Sequence, residues 1–548
     1  MVKINLNSFL ESVFLILIFS TLIWAGCSVL WDHELSHNFP YGYLASDTFQ
    51  HQVRAESIKE MGNYRNEAPY IVAGFKDVVG YYPPLFYHLG VIFSYVSGLE
   101  TYDGAYFLVF FFAAIAAMIM YLIIRDFSKK IAILSLPFAV LIFSKGLYAG
   151  FTWGHWPSIV AQFFLVALFW AVMRHELEGS SYILGIVFAG SILSHTSEAI
   201  FGFIFIVIYS GYLVATKQLH MRYIKTISMG ALIAGVICSY YLIIFQQTWA
   251  KLQPFEFSIS KEFGGTLSFF MKDFGFILIG LMALGVIISL AFSGKKLHAS
   301  FAAGLVMLLI GYSNYVGFGN RAFQARFFWP IYLSVFFGMG IYYIIKKITA
   351  KFYFYVAVAL VFLLLFNAPI ISAIPSTSRF TTPGMMDPYH WETLMWLKDN
   401  TPKDSKLYFF YGDIYYQDAL LRNAEREHYL IARDDFIGSL QNKTIKRSYS
   451  TRAASDSGAG FAYRKGFFSY GMHINEGWVR TKQMDLCNFN YYIFDKASLQ
   501  PVLAQYNMII ANELLKKEWV KVVYGNNYVV VLENKKPGED CINETRFD

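Results

Sequence analysis

Four stretches of this sequence gather the residue types that move protons or hold anions. Ser46-Asp47-Thr48-Phe49-Gln50-His51 sets a carboxylate and an imidazole four residues apart. That is one helical turn, so Asp47 and His51 can face the same way. Phe151-Thr152-Trp153-Gly154-His155-Trp156-Pro157 and Ser194-His195-Thr196-Ser197-Glu198 add two histidines and a glutamate. Asn320-Arg321-Ala322-Phe323-Gln324-Ala325-Arg326 brings two arginines, whose planar forks match phosphate geometry. A carboxylate suits general-base work on a hydroxyl, and arginines suit a phosphorylated ligand. Each group also has a plainer use. Asp is a strong helix N-cap, and capping is the commoner use at a helix start. A single histidine at a membrane interface is most often bonded to a backbone carbonyl, and arginine can snorkel to lipid headgroups.

These groups must be positioned by a membrane protein. The 548 residues are 56% apolar and 15% charged, and the mean hydropathy is +0.41. The apolar residues come in blocks of roughly 15 to 25, the length that crosses hydrocarbon with every backbone polar group paired inside its own segment. The blocks are 9–31, 83–98, 102–124, 131–148, 157–173, 181–195, 197–216, 226–246, 273–293, 299–316, 328–345 and 352–372. The first reads as an uncleaved helix, because Lys3 alone is a weak basic region for a signal sequence. Segment 83–98 opens on Pro83-Pro84 and is short, so it reads as a juxtamembrane or re-entrant helix. About eleven spans remain. They bring Arg125 with Lys129 and Lys130, Lys217 to Lys225, Lys295-Lys296 and Lys346 to Lys351 to one side, which the positive-inside rule makes cytoplasmic. The N-terminus is then inside. Loop 32–101, loop 149–156, loop 247–272, loop 317–327 and the chain after 372 are outside, and so are Asp47, His155, His195, Arg321 and Arg326.

Within loop 32–101, apolar residues near helical spacing and Gly62 as a stop predict a short helix lying on the membrane surface, with Asp47 at its start. Tyr81-Tyr82-Pro83-Pro84 pre-sets an extended entry into the next helix, and His88 behind it reads as a packing residue.

After about Ile371 charged residues become frequent. Residues 373–548 carry 22 Lys+Arg against 21 Asp+Glu, so about +6 of the total +7 charge belongs to the membrane part, 1–372. No basic patch interleaved with exposed aromatics stands out, and nucleic acid is not expected as a partner. The terminal part reads as α/β: strands near 407–410, 491–494 and 528–532, helices near 391–398 and 504–513, and a long polar loop over 437–466. Cys487 and Cys541 can bridge if this part is exported, and stay thiols if it is not. Cys27 and Cys238 lie in apolar segments as packing residues. Asn442-Lys443-Thr444 and Asn543-Glu544-Thr545 fit the glycosylation pattern.

The layout resembles the GT-C superfamily, polytopic glycosyltransferases that use polyprenyl-phosphate-linked sugars. The pattern is a first helix, an external loop with Asp47, the Tyr82-Pro83-Pro84-Leu85 entry, many spans and an external terminal domain. In detail it is similar to archaeal and bacterial membrane proteins labelled as related to 6-pyruvoyl-tetrahydropterin synthase, a label that implies no pterin chemistry. Trp396-Leu397-Lys398-Asp399-Asn400-Thr401-Pro402 resembles a segment that follows the last span of oligosaccharyltransferase catalytic subunits. Those subunits continue into Trp-Trp-Asp-x-Gly, where this chain has Phe409-Phe410-Tyr411-Gly412-Asp413, so the resemblance does not extend to asparagine as acceptor.

The resemblance implies a polyprenyl-phosphate-sugar donor and a lipid, glycan or protein acceptor. It implies Asp47, with His51 beside it, as base or acceptor-positioning group. His155, His195, Glu198, Arg321 and Arg326 would hold substrate, with the arginines on the lipid phosphate. A divalent cation, Mg or Mn, could sit on Asp47 and His155. The main rival function is a transporter or flippase, which internal repeats and broken spans in matching positions would mark; no such duplication is seen. A non-catalytic cell-envelope scaffold is the third.

Overall fold

A computed structural model describes residues 6–27, 39–63, 69–70, 78–80, 82–249, 267–292, 299–316, 319–346, 352–366, 385–416, 418–451, 461–464, 470–473, 483–497 and 499–547. The chain divides into two compact units. The first is Met1–Ser36, Phe93–Ile243 and Ala250–Arg379; the second is His37–Ile92, Ile244–Trp249 and Phe380–Asp548.

Along the chain, α1 (Leu6–Gly26) is followed by α2 (Ser46–Met61), β1 (Val78–Gly80) and α3 (Leu85–Ser97). Then come α4 (Thr101–Phe127), α5 (Lys129–Ser135), a 3-10 segment Leu136–Phe143, α6 (Lys145–Thr152) and α7 (Trp156–Met173). Next are α8 (Ser180–Ser194), α9 (Thr196–Ala215), α10 (Met221–Trp249) and α11 (Leu267–Phe292). The membrane part closes with α12 (Ala299–Gly311), α13 (Gly319–Phe327), α14 (Trp329–Tyr332), α15 (Ser334–Ile345) and α16 (Phe352–Leu365). Among the described residues, six helices are long and apolar enough to cross a membrane, and five more are apolar but shorter.

The helix ends of the first unit fall into two sets. At one end, buried Glu11 of α1 accepts from Arg125 Nε and Tyr121 of α4, each at 2.6 Å, and pairs with Lys129 of α5. Arg174 after α7 meets Asp126 at 2.5 Å, Thr226 of α10 bonds the His175 carbonyl, and Lys130 lies over the Tyr353 ring of α16. At the other end, Tyr148 of α6 donates to the Gly26 carbonyl at 2.7 Å, and Tyr106 of α4 meets Trp156 of α7 edge-on. The basic termini of α4, α7 and α16 therefore share one end, as charge and parity predict. The start of α1 lies beside the end of α4. Gly26 and the start of α4 thus lie at the same end of the first unit.

Two predicted spans are broken. Residues 131–148 run as α5, a 3-10 turn and α6, because Pro137 has no N–H for an α-ladder; every residue from Leu136 to Phe143 is buried. Residues 328–345 split into α14 and α15 near Pro330. Helix α11 packs closely on α15. A Cβ on Gly285 would stand 1.8 Å from the Phe336 carbonyl oxygen, an approach only glycine permits. Gly285→Ala is expected to force the pair apart and destabilise the fold by roughly 1–3 kcal/mol or more. Thermal unfolding in detergent checks this, and an unchanged midpoint would show that α15 is not seated there.

In the second unit, five strands form a mixed sheet in the order β10 (Val520–Gly525), β11 (Val529–Asn534), β9 (Tyr491–Asp495), β2 (Lys406–Phe409) and β3 (Glu427–Leu430). β9, β2 and β3 run parallel, and β11 pairs antiparallel with β9 and β10. Tyr408, Phe410, Tyr492 and Phe494 fill the core with Tyr506 and Ile510 from the helix Pro501–Leu514. The polar stretch expected as one loop instead holds the helix Arg433–Gln441, β4 (Thr444–Ile445), β5 (Ser448–Ser450) and β6 (Phe461–Arg464). Its short alternating runs were masked by the Ser, Arg and Lys content. β6 pairs with β1 from the first loop and with β7 (Tyr470–His473); β5 pairs with β8 (Gln483–Asp485). Cys487 and Cys541 are bridged, with Cα atoms 5.2 Å apart, closing a loop of 54 residues. In the chain-entropy account such a loop contributes roughly 4 kcal/mol. Cys27 and Cys238 are free.

Candidate functional site

Asp47 lies in the first turn of α2 and is exposed. The N-cap is Ala45, in extended conformation, with no side-chain capping bond. Asp47 therefore complements the helix dipole without serving as the cap, contrary to the commoner use of Asp. Gly62, at φ 61°, ends the helix as its pattern predicts. The expected membrane-surface helix is instead enclosed: Phe49, His51, Val53, Arg54, Ser57 and Ile58 are all buried. One face meets the terminal domain, where Ser57 accepts from Arg422 at 3.0 Å, Glu56 meets Lys398 at 3.6 Å and Glu60 meets Lys403 at 3.1 Å. Another meets the start of α3. His51 Nδ1 is 2.9 Å from the Tyr87 hydroxyl, and Arg54 lies over the Tyr82 and Tyr87 rings. Burial above all pushes the Tyr87 phenol up to about 12, Arg54 opposes this and Asp47 adds to it, so the phenol keeps its proton at neutral pH. The Tyr-Pro-Pro entry thus has a second use: Pro83-Pro84 starts α3 where Tyr87 can hold His51.

In the first unit, the starts of α7 and α9 meet. His155 is the N-cap of α7, and Ser158, one turn on, donates to Glu198 Oε1 at 2.5 Å. His195, between α8 and α9, bonds Glu198 Oε2 through Nδ1 at 2.6 Å. Glu198 is 0% exposed. An isolated carboxylate could not be buried so cheaply; a hydroxyl, an imidazole and the start of α9 together compensate it. Glu198→Gln is expected to lower stability by roughly 1.5–3 kcal/mol, with Ser158→Ala costing less. Thermal unfolding of the two variants checks the order, and a neutral Glu198→Gln would remove the carboxylate from the account.

Further along the same face of α7, Gln162 donates to the Gln324 carbonyl at 2.8 Å and accepts from Tyr332. His155 packs on Phe327 at 4.9 Å between ring centroids. Next to it, Arg326 is 1% exposed. It donates to the Gly311 carbonyl at 2.8 Å and to Asn314 at 2.9 Å, between Tyr312 and Trp329. The Arg321 side chain, Tyr81 and most of loop 247–272 lie outside the described residues.

The structure thus gathers His155, His195, Glu198 and Arg326 at the less basic end of the first unit, with Ser158 and Gln162 added. Asp47 and His51 belong to the second unit. Ser158 was readable only as one turn beyond His155, and Tyr87 only as part of the Tyr-Pro-Pro motif.

A third cluster gave no signal in sequence. Asp387 caps the helix Pro388–Asn400 by accepting from the amides of Tyr389 and His390, and it bonds His390 Nδ1 as well. His390 Nε2 lies 3.4 Å from Asp495 Oδ2 at the carboxyl end of β9. Burial acts to lower the His390 pKa, but the carboxylates of Asp387 and then Asp495 outweigh it and raise it to about 9. The same contact holds Asp387 low against its own burial. A Cβ on Gly412 would stand 2.7 Å from Asp495 Oδ2, so glycine here admits that carboxylate.

The chain joins a part rich in long apolar helices to a sheet-bearing terminal domain. The particular structures it resembles are ArnT from Cupriavidus metallidurans and the archaeal oligosaccharyltransferase AglB from Archaeoglobus fulgidus. Apo ArnT superposes with a TM-score of 0.54 at 10% identity, over 97% of this chain and 98% of that one. ArnT bound to undecaprenyl phosphate gives 0.52 at 9% identity, over 97% and 99%. AglB in complex with an inhibitory peptide and a dolichol-phosphate gives 0.51 at 14% identity, over 75% of this chain and 64% of that one. This chain therefore spans less than two thirds of AglB. No protein-family model and no curated protein matches the sequence. At these identities the likeness is one of fold.

Proposed function

We propose that this chain is a glycosyltransferase of the plasma membrane, moving a sugar from a polyprenyl-phosphate-linked donor to an extracytoplasmic acceptor. The observation that carries it is the fold match along nearly the whole length of both chains to ArnT, which was solved with undecaprenyl phosphate. The membrane part, 1–372, would hold the donor. The part 373–548 would lie outside the membrane, with the N-terminus in the cytoplasm.

Asp47 is the base or positioning group for the acceptor hydroxyl, and its exposed place at the start of α2 suits it. The hydroxyl oxygen attacks the anomeric carbon and its proton passes to the carboxylate. The bond from that carbon to the phosphate oxygen breaks, and polyprenyl phosphate leaves. Direct displacement inverts the anomeric centre. His51, fixed by Tyr87, sets the face of α2 that Asp47 shares. Arg321 and Arg326 are the candidates for the developing phosphate charge, and His155, His195 and Glu198 for substrate contacts. Among the described residues, no group of three or more His, Cys, Asp or Glu side chains is disposed to hold a metal ion. No step is therefore routed through the Mg or Mn ion that the resemblance allows.

Purified protein incubated with labelled polyprenyl-phosphate sugars tests the reading. A transferase releases free polyprenyl phosphate and labels an acceptor. A flippase would move the label across vesicles with the sugar–phosphate bond intact, and a scaffold would do neither.

A further inference from the structure

The sequence contains two Asn-x-Thr triplets, Asn442-Lys443-Thr444 and Asn543-Glu544-Thr545, and no other Asn-x-Ser or Asn-x-Thr with a non-proline middle residue. Far apart in the chain, they fold onto one ribbon. β4 pairs antiparallel with β12 (Thr545–Arg546), placing Arg546 opposite Thr444 and Thr545 opposite Ile445. Both asparagines are exposed, and so are Lys443 and Glu544 between each asparagine and its threonine.

Local structure keeps them at the surface. Asn442 is the C-cap of the helix Arg433–Gln441, and Lys443 follows at φ 52°, the left-handed conformation that ends a helix. Asn543 emerges directly after Cys541 and Ile542, which are buried at 0% and 1% and anchored by the bridge to Cys487. Each asparagine precedes the paired residues of its own strand, so the two stand at opposite ends of the antiparallel ladder. That leaves room for a bulky substituent on each. The bridge itself is a mark of an oxidising compartment, where glycan transfer to asparagine also takes place.

We infer that Asn442 and Asn543 are N-glycosylation sites, modified by a separate oligosaccharyltransferase. The inference rests on the outer placement of this domain proposed above, but not on any sugar transfer by the chain itself. In the modifying step the asparagine Nδ2 forms a bond to the anomeric carbon of a polyprenyl-linked oligosaccharide. The bond from that carbon to the phosphate oxygen breaks, the lipid phosphate leaves, and the amide proton passes to a base of the modifying enzyme.

Peptide mass spectrometry of full-length protein from its native membranes tests this. Peptides holding Asn442 and Asn543 should carry the same added glycan mass. Asn442→Gln and Asn543→Gln should each remove one such mass from the intact protein. Thr444→Ala should lower occupancy at Asn442 by roughly ten-fold or more, while Thr444→Ser keeps it. Asn543 in the same molecule reports that the domain has folded and been exported. Both peptides recovered unmodified from the native protein overturn the inference, and one unmodified peptide overturns it for that site. The labelled-donor assay judges the transferase reading separately. An Asp47→Asn protein should keep both glycans; their loss in that variant would overturn the assignment to a separate enzyme.

Discussion

Asp47→Asn is expected to lower the turnover of sugar transfer by roughly 10²–10⁴-fold, the usual span for loss of a positioned general base. The change is nearly isosteric. It keeps a polar side chain in the first turn of α2, whose N-cap position is Ala45. The donor should still bind with little change in KM, since a base contributes mainly as the nucleophile commits. Turnover of a labelled polyprenyl-phosphate sugar, measured beside the thermal midpoint of the same preparation, separates chemistry from folding. An asparagine variant that transfers sugar as fast as the parent removes Asp47 from the mechanism and leaves the fold match untouched.

The second large effect concerns stability. His390 is 3% exposed and stands between Asp387 and Asp495, and its folded pKa is raised to about 9 from an ordinary 6.5. A group whose pKa is higher in the folded state contributes fully below the unfolded value and loses its contribution as pH rises through the folded one. The second unit should therefore be most favoured by this contact below about pH 6.5 and should lose it progressively toward pH 9. The difference corresponds to roughly 3 kcal/mol, counted once, since the lowered Asp387 reports the same contact. His390→Ala leaves buried Asp495 and half-buried Asp387 without their cation, and is expected to cost roughly 3 kcal/mol at neutral pH. Thermal unfolding across pH 6 to 10 decides the matter. The parent should show the slope and the alanine variant should not; equal slopes would place the titrating group elsewhere.

Hydropathy and charge alone determined most of the membrane architecture. Hydrocarbon admits few backbone solutions, so twenty apolar residues between basic turns have little choice. That is why the ends of α1, α4, α7 and α16 sort as parity requires. The strands near 407, 491 and 529 were legible for a similar reason, as short β-branched and aromatic runs bounded by turn residues. Alternation at the scale of two residues was not enough for β4, β5 and β6, whose polar composition resembles a loop.

What only the tertiary structure decided lies in pairings between distant residues. Ser158 with Glu198, His51 with Tyr87, and His390 with Asp495 each join segments whose separation in sequence carries no information about contact. Each burial of charge is tolerable only because a partner arrives from elsewhere in the fold, and a local pattern cannot report an arrival. The surface placement of α2 failed on the same ground. Most of its apolar and polar residues alike are enclosed, with salt bridges to Lys398 and Lys403 on one face and an aromatic cluster on another, while Asp47 stays exposed. A one-dimensional reading expects one wet face on such a helix, and packing on two sides narrowed it.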